Sequence, residues 1–209
     1  MSEDIRTLAR RYIDAGWAVL PLLPGEKGTR DSGWLKKASE HVYTPEDFPE
    51  GCNIGAVPGK PSGDRVDIDL DAPTAVRAGR LLPTTGLIHG RPGKPQSHYW
   101  YHCVGIEPRQ FKDPVDKAML MEIRANTGQT AMPGSTHPSG ELVTWASERE
   151  PLHIELVPLN EMVTHVAIVA LISKYWPAQG SRHQLTLSTT GFLGRFIDDH
   201  PAVIRIMRE

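Results

Sequence analysis

The chain has 209 residues, enough to bury one good core and carry a smaller appendage. It is 39% apolar and 23% charged with a net charge of −2, the composition of a soluble globular protein. That balance excludes a strong nonspecific nucleic-acid binder, which would be basic overall, so any nucleic-acid contact has to use a local patch.

Lone Cys52 and Cys103 form neither a disulfide framework nor a zinc pattern, which fits a reducing, cytoplasmic setting. No apolar run approaches the roughly 20 residues of a membrane span. The opening "MSEDIRTLARR" does not read as a signal peptide.

Residues 2–15 read as an amphipathic helix: Ser2 caps it, Ile5, Leu8, Ala9, Tyr12 and Ile13 follow helical spacing, and Gly16 stops it. "WAVLPLL" is a short apolar strand, 24–51 a long loop rich in Gly, Pro and charge, and "NIGAVPG" a second strand. A third strand covers 65–71, and Asp71-Ala72-Pro73 begins a helix. Further strands are expected at 85–89, 97–104, 118–125, 128–132 and 142–145. Helices follow, one capped by Asn160, one opening on a capping box at Ser181 and Gln184, and one starting at "HPAVIRIMRE". Many strands with few helices indicate an α+β fold with a mostly antiparallel sheet. Because the last helix ends at Glu209 without a C-cap, the chain is expected to be part of a longer protein.

In "VDIDLD", three carboxylates occupy alternate positions, so Asp67, Asp69 and Asp71 would line one strand face roughly 6–7 Å apart. A solvated edge ending in a helix cap accounts for Asp71 but poorly for the other two, whose neighbours Val66, Ile68 and Leu70 bury a face. A divalent cation resolves the repulsion, and carboxylate oxygens suit magnesium or manganese. "GRPGKPQSHYWYH" brings Arg91, Lys94, Ser97 and His98 to a Gly/Pro-rich loop and strand start, a set suited to a triphosphate or, more plainly, a hairpin with incidental charge. Glu122 and Arg124 share one strand face, as a further carboxylate beside a guanidinium or as a surface ion pair. "PGSTHPSG" adds Ser135 and His137, which also serve ordinary turn chemistry.

The order of these features over about residues 5–145 resembles the primase-polymerase domains of the archaeo-eukaryotic primase superfamily. It is most similar to the bifunctional primase/polymerase domains of phage and plasmid replication proteins. The resemblance rests on a D-x-D strand, a Ser-His strand start, a third acid on a later strand, "AGWAVLPL", "NIGAVPG" and the Pro-Ser-His-Pro-Gly turn. Two departures stand out. Three aspartates replace the family's two, leaving the pair as Asp67 with Asp69 or Asp69 with Asp71. The third acid, often Asp in relatives, is Glu122, which reaches one methylene further and would still coordinate a metal. A lesser departure is Gly134, where relatives often carry Pro.

The resemblance implies an RRM-like antiparallel sheet with an N-terminal α/β module over 1–155, then a small helical subdomain over 156–209 leading to a helicase region. It implies a DNA primase or polymerase that uses two magnesium or manganese ions about 3.5–4 Å apart, single-stranded DNA template, and dNTPs or NTPs. Asp67, Asp69, Asp71 and Glu122 would then hold metal. Ser97, His98, Arg91, Lys94, Arg124, Ser135 and His137 would meet the nucleotide, with Lys27 a looser candidate. Template would lie along local basic stretches such as Lys36-Lys37 and Arg77/Arg80. A metal-dependent nuclease or phosphodiesterase, or an inactive module docking template or helicase, are the rival readings. A bacterial or archaeal cytoplasm is the expected location, with no membrane partner.

Overall fold

The computed structural model describes residues 4–177, 182–195, 197 and 200–208. Helix α1 (Ile5–Asp14) buries Leu8, Ala9 and Tyr12. Asp4 caps it, accepting the Thr7 N–H at 3.2 Å; the expected cap Ser2 lies outside the described residues. Behind it, β1 (Val19–Leu22) pairs antiparallel with β2 (Asn53–Ala56), and β2 with the short β8 (Thr130–Ala131). The region expected to be a loop holds helix α2 (Trp34–Ser39) and a short 3-10 turn at Pro45–Asp47, because Ala38 and Phe48 bury themselves against this small sheet.

The larger sheet runs β6 (Arg109–Lys112), β7 (Met119–Arg124), β3 (Arg65–Asp69), β5 (Lys94–His102), β4 (Leu87–Arg91) and β9 (Thr144–Glu148), every neighbour antiparallel. A short β10 (Leu152–His153) joins the end of β5 in parallel. Strands β6 and β10 were not expected from the sequence, since "RQFK" and "LH" carry no apolar alternation.

Alternation divides this sheet into two faces. Val66, Ile68, Leu70, Tyr99, Tyr101, Met121 and Ile123 point to the side covered by α3 (Pro73–Ala78) and α4 (Leu156–Lys174). Each such fully buried side chain contributes about 1.5–3 kcal/mol of hydrophobic stabilisation. Asp67, Asp69, His98, Trp100, Glu122 and Arg124 occupy alternate positions to these and face the small sheet, where Trp100 packs with Trp17, Leu87 and Met132.

Several helix boundaries differ from the sequence reading. Ala72, with no side-chain bond, stands at the N-cap of α3, so Asp71 is not the cap and its carboxylate is turned elsewhere. Helix α4 starts five residues earlier than expected, with Glu155 rather than Asn160 at the N-cap. Asn160 lies inside it, donating through Nδ2 to the Leu156 carbonyl at 3.1 Å. At 19 residues α4 is also long and apolar enough, by length and composition, to cross a membrane, against the expectation that no such run exists. Here one side of it, with Leu159, Val163, Val166 and Ala170, completes the core beneath the sheet.

Helices α5 (Arg182–Leu193) and α6 (His200–Arg208) follow, with Leu193, Val203 and Ile206 in the same core. The capping partner Ser181 lies outside the described residues. Gly134 has φ +94°, and a Cβ there would stand 2.2 Å from Leu8 Cδ2. Proline, fixed near −65°, cannot take this conformation, which accounts for glycine at that position.

Candidate active site

The strand register sets the site. Asp69 is paired across β3 with Glu122 on one side and His98 on the other, and His98 in turn with His89 of β4. One row over, Asp67 pairs with Arg124 and Trp100. Directly opposed residues in antiparallel strands hold their Cβ atoms about 4.5–5.5 Å apart, so residues distant in sequence converge without any special loop.

Asp69 is at the centre. Its Oδ2 is 2.6 Å from Arg124 Nη2, and its Oδ1 is 3.5 Å from Lys94 Nζ and 3.6 Å from His98 Nε2. Burial pushes the Asp69 carboxyl up, but His98, Arg124, Lys94 and Lys27 together outweigh it and hold it at about 2. Asp71, just past the strand, lies 3.3 Å from the same Lys94 ammonium. Burial and then repulsion from Asp69 raise the Asp71 carboxyl despite that cation. Glu122 receives Arg124 through Nε at 3.0 Å and Nη2 at 2.7 Å.

Asp67 behaves differently. Its side chain has no exposed surface, its Oδ2 accepts the Thr130 hydroxyl at 2.7 Å, and His98 Nδ1 stands 3.0 Å from the same oxygen. The imidazole is thereby anchored through Nδ1, with Nε2 turned toward Asp69. Burial opposes charge on His98, yet Asp69 and Asp67 prevail and its pKa is raised. Behind it, His89 is fully buried and stacks parallel on the His98 ring, 4.3 Å between centroids and 8° between planes. Burial, then repulsion from His98, drives the His89 pKa well down. The neutral ring accepts the Trp100 indole N–H through Nδ1 at 2.9 Å.

Of these, Asp69, Lys94, His98 and Arg124 line a pocket of about 510 Å³ including its open mouth, together with Lys27, Arg91, Ser97 and His137. Arg91 is ion-paired with Glu141, which also accepts the Gly93 N–H and, at 2.8 Å, the Ser139 hydroxyl. His137 accepts the Ser139 N–H at 3.1 Å through Nδ1, leaving its other nitrogen to carry the proton; dehydration and then Arg91 and Lys27 lower its pKa. Thus Asp69, Arg91, Lys94, Ser97, His98, Arg124 and His137 come together as lining residues, with Asp71 and Glu122 beside them. Ser135 does not join them. It is fully buried, accepting the Ile54 N–H at 3.0 Å and donating to the Ile54 carbonyl at 3.1 Å, so it fastens its turn to β2.

Asp69, Asp71 and Glu122 each present a carboxylate oxygen within 4.8 Å of the others. Three hard oxygen donors at that spacing fit magnesium or manganese. Both Asp67 oxygens face His98, and one also takes Thr130; Asp67 is not part of that cluster.

Residues 9–162 match the family model described as bifunctional DNA primase/polymerase, N-terminal. The chain belongs to the Prim-Pol family. No curated protein matches it. Membership places this domain in a nucleotidyltransferase family tied to DNA priming and synthesis, and the match spans both sheets and the first turns of α4.

Parts of the Prim-Pol site had no signal in the sequence. Thr130 and Gln129 reach it only because β8 joins the small sheet while its flanking turn meets β7. Lys27, already a looser candidate from the resemblance, is carried there by a loop tied down through the Glu26 and Lys27 carbonyls, which accept from Asn53 and Gln129 at 2.9 and 2.5 Å. His89 could have been found by pairing the strand at 85–89 with that at 97–104 and asking what faces His98.

Proposed function

We propose that this Prim-Pol domain is a DNA-templated nucleotidyltransferase, a primase or polymerase that adds nucleotides to a strand's 3′-hydroxyl and releases pyrophosphate. The observation that carries this reading is the split polarity of one pocket. Asp69, Asp71 and Glu122 gather oxygen donors at one point, while Lys27, Arg91, Lys94, His98 and Arg124 gather positive charge around them. Hydrolysis of a phosphodiester needs the acids alone, whereas the cationic wall suits a triphosphate.

Two magnesium or manganese ions held by Asp69, Asp71 and Glu122 would neutralise charge on the attacking and leaving oxygens and lower the hydroxyl's pKa. The hydroxyl oxygen bonds to the α-phosphorus as the bond to the α–β bridging oxygen breaks; pyrophosphate leaves with that electron pair and the hydroxyl proton passes to solvent. Lys94 and Arg91 take oxygens of the leaving pyrophosphate. His98 donates from Nε2 to a phosphate oxygen, with Asp69 and Asp67 favouring its charged form against burial. Asp67 is a positioning residue, fixing the His98 ring and its charge through Nδ1.

The RRM-like character of the larger sheet and the division into 1–155 and 156–209 belong to the same proposal, with α4 sharing the sheet's core. A phage or plasmid setting, a cytoplasmic location and a helicase region in the full-length protein rest on the sequence resemblance.

The test is incorporation of labelled dNTPs or NTPs on primed and unprimed single-stranded DNA, with magnesium or manganese, beside Asp69→Asn. Metal-dependent products that disappear in the variant are expected, and the unprimed lane separates primase from polymerase. A folded wild type that incorporates nothing, or products indifferent to the substitution, would overturn the reading.

A further inference from the structure

Two loops at the rim of the pocket are joined from behind by one carboxylate. On β4, Leu87, His89 and Arg91 fall at alternate positions on the face toward the small sheet, which brings Arg91 to the pocket beside Lys94, its partner across the hairpin. The ladder supports this tip poorly. Pairing shifts between His89 and Arg91, and Gln96 on β5 has φ +47°. An irregularity of this kind frees the strand end from the register that fixes the rest, so Arg91 needs a hold from elsewhere.

Glu141 supplies it. Its carboxylate takes the Arg91 guanidinium through Nη1, the Gly93 N–H of the hairpin tip and, at 2.8 Å, the Ser139 hydroxyl. Ser139 in turn gives its N–H to His137 Nδ1 at 3.1 Å. Arg91 and His137 line the pocket, whereas Glu141 and Ser139 do not. The turn that carries them is closed on itself: the His137 N–H meets the Glu141 carbonyl at 2.8 Å, and Thr136 is bridged to Leu142. A carboxylate holding three donors from two separate loops is a fixed anchor.

Gly93 bears the mark of the same contact. A Cβ there would stand 2.8 Å from Glu141 Oε1 and 2.9 Å from Arg91 Nη1. Its φ is not positive, so these two side chains, rather than backbone freedom, exclude anything larger than glycine. The opposite role for Glu141, competing with phosphate for Arg91, would need it at the pocket wall, which it does not line. Its bond uses Nη1, and the Nε–Nη2 edge of Arg91 has no partner among the described residues.

We propose that Glu141 is a positioning residue for nucleotide binding: it sets Arg91 at the pocket with the Nε–Nη2 edge free for a phosphate, and it locks the hairpin tip to the turn at 136–142. The proposal rests on the nucleotidyl-transfer reading, in which Arg91 takes oxygens of the leaving pyrophosphate. An arginine on a loose stem gives up rotamer freedom when it binds phosphate. One already held by Glu141 gives up less, so more of the contact appears as affinity.

The experiment is a double-mutant cycle on dATP binding, read by isothermal titration with magnesium and no DNA, beside a melting curve for each variant. Glu141→Ala and Arg91→Ala are each expected to weaken dATP binding about five- to ten-fold, with the double variant within about two-fold of Arg91→Ala. Gly93→Ala should weaken binding on its own and add nothing to Glu141→Ala. Its close neighbours are the ends of two flexible side chains, so the fold survives it. Losses that multiply in the double variant would overturn the proposal, as would a lowered melting temperature in Glu141→Ala with dATP binding unchanged. Tighter binding in Glu141→Ala, the mark of a competitor, would overturn it too. A wild type that shows the coupling yet never extends a primer would sink the nucleotidyl-transfer reading instead and leave the role of Glu141 standing, since the titration involves no chemistry.

Discussion

On the helical side of β3, Val66, Ile68 and Leu70 are sealed against α3 and α4 with no exposed surface; on the other side Asp67 and Asp69 are sealed almost as completely. Equal burial has opposite meanings on the two faces. An apolar side chain gains stability by leaving water, while a carboxylate is disfavoured there unless each oxygen finds a partner. Every Asp67 and Asp69 oxygen has one, from Thr130, His98, Arg124 or Lys94. The helical face therefore holds the fold together, while the other face carries a preset array of paired charges along the pocket.

Substitutions on the two faces should separate these roles. The largest effect is expected from Asp69→Asn, which keeps shape but removes the central charge. Incorporation should fall on the order of 10²–10³-fold with the circular dichroism spectrum unchanged. Ile68→Ala, one residue away on the other face, should do the reverse. A loss of about 2–5 kcal/mol is expected in urea denaturation, with near-normal turnover per folded molecule. Comparable activity loss from both would break the comparison.

Asp67→Asn sharpens it. The raised pKa of His98 means that the stabilisation from its imidazolium is complete below about pH 6.5 and is lost as pH rises through the folded value. Removing the Asp67 charge should move that loss to lower pH and bring the imidazole titration down, read by NMR of the His98 ring. Activity should drop roughly ten-fold, most at alkaline pH.

The smallest effect concerns the far end of α4. There Asp113 accepts from Lys174 at 2.5 Å, Tyr175 at 2.7 Å and the Val115 N–H at 2.8 Å. Burial opposes its charge, but these donors win and its pKa is lowered. Its contribution is present above about pH 4 and lost as pH falls below that. Asp113→Asn should flatten the acid limb of a melting-temperature series while leaving incorporation untouched.

Much of the site was legible because strand alternation alone puts Asp67, Asp69, Glu122 and Arg124 on defined faces. What alternation cannot supply is register, and register decides the roles. Asp67 and Asp69 look equivalent in "VDIDLD", yet one opposes Trp100 and the other His98. Asp71 read as a helix cap because it precedes Ala72-Pro73, but the N-cap falls on Ala72 and the Asp71 carboxylate meets Lys94, 23 residues away. Ser135 was misjudged for the same reason, since its hydroxyl partner Ile54 is 81 residues distant. Helix α4 starts ahead of the expected cap Asn160 and takes in Pro158, because proline is tolerated in the first turn of a helix, where Pro158 stands.

The central claim is that Asp69, Asp71 and Glu122 hold the metal while Asp67 serves His98. Manganese binding, followed by loss of the free-ion EPR signal, tests it most directly in wild type, Asp67→Asn, Asp71→Asn and Glu122→Gln. Strongly weakened manganese binding in Asp71→Asn and Glu122→Gln, with near-wild-type binding in Asp67→Asn, is the predicted result. Loss of binding in Asp67→Asn with retention in Asp71→Asn would contradict it and move the metal one step back along β3.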